Sequence, residues 1–112
     1  MSLEVRLFAS VDTGGIEKEI ITLFDANITH NLIGMADEAG IYESLWNPKA
    51  EIAAELIIHL ENGLKKLKND PAKFSEYNAS NGWGVYEDFV PFVENYLNAC
   101  KAHPEANVSV SV

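Results

Sequence analysis

DANITHNLIGMADEAGIYESLWNP, residues 25–48, joins a strand-forming beginning to a helix-forming middle. Asn27 or Thr29 can cap a helix running to about Ala39, because a short side-chain oxygen accepts one of the free amides of a first turn. At about 100° per residue, Ile28, Leu32, Met35, Ala36 and Ala39 share one face. His30, Asn31, Gly34, Asp37 and Glu38 share the other. Gly40 fits the stop position just past a helix end. Asp37 and Glu38 fall in the last turn, where the helix dipole disfavours anions and a partner is needed. Trp46-Asn47-Pro48 then reads as a restart: a cap followed by proline at the first helical position.

Upstream of this stretch, Leu3 to Ala9 alternates, with Leu3, Val5 and Leu7 on one side and Glu4, Arg6 and Phe8 on the other. That is the period of a half-buried strand. Ser10 to Gly15 is turn chemistry, and Glu19 to Phe24 is a second strand rich in β-branched residues, so the two form a hairpin. Downstream, the predicted helix from Pro48 to Lys68 carries an apolar stripe of Ala53, Leu56, Ile57, Leu60, Leu64 and Leu67. Ile58 lies off that stripe, and His59 is expected on the wet face beside Glu55. Asp70-Pro71 is a second cap-plus-proline signal for a short turn. Asn78 to Gly84 is a loop around Trp83, and a last helix spans about Val85 to Ala102, with Pro91 expected to kink it or set off a separate turn. Asn107 to Val112 alternates again, with Val108, Val110 and Val112 inward.

The order β-β-α-α-α-β predicts an α+β fold, a small antiparallel sheet of about three strands packed on three helices. At 112 residues the chain is one domain, 1–112, large enough for a core without staples. Its single cysteine, Cys100, leaves no internal disulfide or four-cysteine zinc site. It is expected on an apolar helix face as a small hydrophobe. No apolar run reaches the roughly 18 residues of a membrane span. The first residues, MSLEVRLFAS, lack a basic segment followed by an apolar one, so a cytoplasmic location is expected. The formal net charge of −9 argues against direct nucleic-acid binding, which needs a basic patch. Lys65, Lys66 and Lys68 form the one basic cluster, near a helix end where cations suit the dipole.

Taken together, ITHNL-x2-MA-x2-AGIY-x2-LW-x-P (Ile28 to Pro48), NGWG-x-Y-E (Asn81 to Glu87) and YL-x-ACK (Tyr96 to Lys101) resemble a family of small uncharacterised proteins of bacteria and their phages. The resemblance covers almost the whole chain. It implies a stand-alone cytoplasmic domain of mobile-element origin and carries no activity or catalytic residue to transfer.

No nucleotide-binding glycine loop, nucleophile elbow or paired-histidine zinc signature occurs. No cofactor, metal or catalytic residue is therefore assigned. The candidate ligand-binding residues are Asn27, His30, Asn31, Gly34, Asp37, Tyr42, Trp46 and Trp83. His30 has the side chain suited to acid–base work near neutrality. Asn31 and Asp37 can orient a ligand, and Gly34 admits a close approach. Trp46 and Trp83 either wall a pocket or plug the core. Three functions follow: a protein-binding or regulatory module, working on a protein partner or as a homo-oligomer; a small-molecule pocket around His30, Asn31 and Trp83, enzymatic or sequestering; and an acidic mimic of DNA that acts as an inhibitor. The bland reading of the polar face is local hydrogen bonding to the hairpin and the Trp83 loop.

Overall fold

Leu3, Val5 and Leu7 lie wholly buried along β1 (Ser2–Asp12), the middle strand of a three-stranded antiparallel sheet ordered β2-β1-β3. The computed structural model describes residues 2–12, 14–15 and 18–112. β2 (Lys18–Thr29) and β3 (Asn107–Ser111) flank β1. Leu7 faces Phe24 and Val108, Val5 faces Ala26 and Val110, and Leu3 faces Ile28. Those side chains make the inner face. One bulge interrupts the β1–β2 ladder: Leu7 pairs with Phe24 and Phe8 with Thr22, leaving Leu23 as the extra residue.

The helical layer covers the inner face. It comprises α1 (Ile33–Glu38), α2 (Tyr42–Trp46), α3 (Ile57–Asn69), α4 (Pro71–Ser75) and α5 (Tyr86–Ala102), with short 3-10 turns at His30–Leu32 and Ala53–Leu56. The α+β class and the strand–strand–helices–strand order agree with the sequence reading. The alternation of β1 and β3 is reproduced, as are the stop at Gly40 (φ +78°) and the Asp70 cap, whose carboxylate accepts the Lys73 amide. Part of the hairpin turn falls on Thr13, outside the described residues. Next to it, Asp12 accepts the Gly14 amide at 2.9 Å.

Four expectations are corrected. The segment from Asp25 to Ile28 is strand, because Ala26 and Ile28 continue the inward alternation and their backbone pairs with Leu3–Val5. The cap is therefore Thr29, whose hydroxyl accepts the Asn31 amide. The helix expected from Pro48 begins at Ile57. Upstream, Val108 N donates to the Glu51 carbonyl, and the amides of Ala53 and Ala54 donate to the carbonyls of Ala106 and Pro104. Glu51 and Ile52 are thereby held in a bridge to β3, and the 3-10 turn at Ala53–Leu56 starts with its free first amides bonded to the same segment. Glu55, expected to pair with His59, accepts the Glu51 amide at 2.7 Å. Finally, Val112 follows the strand and is exposed.

The core lies between the sheet and the pair α3 and α5, with Tyr96, Phe89, Met35 and Leu60 fully buried. Beyond Leu7 and Phe24 the hairpin continues past the helices: Ala9, Ser10 and Leu23 border a hollow with His103–Asn107, and the rest is a bare ribbon. There Val11, Ile20, Ile21 and Leu23 are exposed. The molecule measures 53 × 27 × 20 Å, and its radius of gyration is 15.0 Å, against about 13 Å for a compact chain of this length.

Candidate functional site

β1 is paired on both sides, and the β3 edge is partly closed by the Glu51 segment. β2 is the open edge. Its outward backbone groups face no other described strand. Helix α5 runs beside it in the opposite direction. The Gly84 turn at its start lies against Thr29, and Tyr96 further along stacks on Phe24 at 6.0 Å. Between strand and helix lies an open groove of about 870 Å³.

Its walls follow from the two elements. Along β2, Ala26 and Ile28 point toward the helix and Asp25 and Asn27 toward the outer side. Along α5, Glu87, Pro91, Asn95 and Asn98 recur at intervals of four, four and three residues, which puts them on one stripe. Glu87 and Asp88 sit in the first helical turn, where the dipole favours anions. Phe92 and Leu32 supply apolar floor. The groove lining contains no Lys or Arg, and no ion pair among the described residues engages Asp25, Glu87 or Asp88.

The residues singled out in the sequence divide among three places. Asn27 lines the groove. Asn31 Nδ2 donates to the Trp83 carbonyl at 2.7 Å, tying the Trp83 loop to the groove mouth. Trp83 is 74% exposed, beside the groove-lining Gly84. A second set lies apart. Tyr42 stacks on Trp46 at 5.8 Å, and His30 meets the same indole edge-on at 6.2 Å. Trp46 is buried, so one tryptophan plugs the core and the other does not. His30 Nε2 and Trp46 Nε1 are buried without hydrogen-bond partners.

Gly34 and Asp37 join neither set. A Cβ on Gly34 would come within 3.3 Å of the Tyr77 ring, so the close approach inferred there is made by Tyr77. Asp37 is exposed. Its neighbour Glu38 finds the partner its position required, Lys73 at 2.9 Å. Hydrogen bonding and charge from Lys73 hold the Glu38 carboxyl below its usual range, and Glu38 raises Lys73 in return. Desolvation, then the Glu38 charge, raises the Tyr77 phenol.

Sequence reasoning missed Glu87, Asp88, Pro91, Asn95 and Asn98. Their stripe was available as the wet face of the last helix, but ending the second strand at Phe24 hid the edge it borders. Among the described residues no group of three or more His, Cys, Asp or Glu is placed to hold a metal ion. No helix among the described residues is long and apolar enough to cross a membrane. No family model, curated protein or solved structure matches the chain.

Proposed function

We propose that this chain is a small cytoplasmic protein-binding module that receives an extended segment of its partner along β2, in the groove beside α5. The observation that carries the reading is the open β2 edge lying beside a helix. An added strand gains main-chain hydrogen bonds from such an edge, and pockets beside it select alternate side chains. The β3 edge, partly closed by residues 51–54, offers less. The groove's apolar floor and polar stripe match the composition of a recognition surface. The family resemblance of the motifs adds a mobile-element setting, in which the partner is a host or phage protein.

The test is a display selection with random peptides, followed by amide-exchange mapping of the winners. Enriched peptides that slow exchange at residues 24–29 support the reading. Failure to enrich any peptide, or protection confined to other surfaces, overturns it.

A further inference from the structure

From the gradient along β2 we infer the partner's chemistry: an extended segment whose first half is basic and whose second half is aliphatic, laid antiparallel to β2. This rests on the docking groove proposed above. The edge is one continuous strand of twelve residues with two unlike halves. The half nearest Thr29 faces the first turn of α5, with Glu87 and Asp88. The middle faces Asn95 and Asn98. The half nearest Lys18 has no helix beside it and exposes Ile20 (65%), Ile21 (46%) and Leu23 (36%). These alternate across the ribbon, Ile21 toward the inner side with Ala9 and Ile20 toward the outer side with Ser10. An added strand presents side chains to both sides, so it can cover both isoleucines.

Charge decides against a second copy as the occupant. Each chain carries −9, and pairing two acidic edges adds repulsion. A basic segment relieves it. Direction follows from pairing: the described sheet is wholly antiparallel, and antiparallel ladders are the more stable per residue. The segment's beginning then lies at Thr29, over the acids, and its end at Lys18, over the isoleucines.

The test uses synthetic peptides as long as the twelve-residue strand. One alternates Lys with Thr in its first half and carries Val and Ile in its second. The other exchanges the halves at the same composition. The first should bind the full-length protein about tenfold more tightly than the second, a difference set by where the charged and the aliphatic side chains fall at equal composition. Glu87→Gln with Asp88→Asn should weaken it about fivefold and flatten its salt dependence. Ile20→Thr with Ile21→Thr should weaken it and leave the salt dependence intact. All four side chains are half-buried or exposed, and amide exchange of β1 checks that each variant folds. Equal binding of both peptides, with β2 amides protected, overturns the bipartite inference and leaves the docking groove standing. Absence of β2 protection by either of these peptides and by every display winner overturns the groove reading itself. A dimeric mass by light scattering that becomes monomeric in the isoleucine variant overturns the inference in favour of a second copy.

Discussion

Among the described glycines, Gly63 makes the closest approach to a neighbouring side chain. It lies on the buried side of α3, and a Cβ there would overlap Cγ2 of Ile41. Alanine favours a helix over glycine by about 1 kcal/mol, yet forced overpacking costs about 1–3 kcal/mol. Gly63→Ala should therefore destabilise the fold by about 1 kcal/mol, read as a lower urea midpoint. Cys100 gives a second residue-scale expectation. Burial pushes its thiol from 9.0 up to about 11, and burial likewise raises the Tyr96 phenol. Between these values the native thiol keeps a proton that the unfolded chain releases, so stability falls as pH rises. The contribution is complete below about 9 and is lost as pH rises through about 11. Urea midpoints should thus decline on the alkaline side, and less steeply in Cys100→Ala.

At the scale of elements, α5 runs unbroken from Tyr86 to Ala102 with Pro91 inside it, so the residues before the proline form no separate turn. Proline has no amide to return to the Glu87 carbonyl, and it sits on the groove stripe. Pro91→Ala should raise stability by up to about 3 kcal/mol in chemical denaturation, the cost of proline inside a helix. Legibility differed by element for physical reasons. β1, β3 and the stripe of α3 were readable because alternation and helical period mark a buried face. The start of the first helix was left open between Asn27 and Thr29 because both are good caps, and nothing local says that Asp25–Ile28 will pair with Leu3–Arg6 and leave Thr29 as the cap. Residues 48–52 read as helix because the tertiary bonds that hold this segment against β3, from Glu51 to Val108 and from the next two residues to Ala106 and Pro104, involve partners far along the chain. Of the candidate site, Asn27, Asn31 and Trp83 belong together at one end of the groove. The polar stripe of the last helix was legible as its wet face, and its place as a groove wall followed only from the strand edge beside it.

For the whole molecule, the ribbon beyond the helices governs behaviour. A two-stranded hairpin without a covering layer is marginal on its own. Amides of Ser10 and Val11 should exchange faster than those of Val5 and Leu7, which belong to the same strand but lie under the helices. Native-state hydrogen exchange checks this, and equal protection along β1 would contradict it. The same ribbon exposes four aliphatic side chains on a highly acidic chain. Ile21→Thr should accordingly weaken binding of an aliphatic-ended peptide while changing the unfolding midpoint little, since the side chain is 46% exposed.

Leu23, the unpaired residue of the bulge, stands where the helix-backed half of the hairpin meets the bare half. Bulges bend a strand and increase its local twist. The two halves of β2 are consequently set as two lengths of rail meeting at an angle. A rigid straight strand laid on one length would diverge from the other, so whatever follows the full length bends opposite Leu23, as a free peptide can and a strand fixed in another sheet cannot. Removing Leu23 would leave each side chain on its present side and straighten the joint, making Leu23 a device for aiming the ribbon.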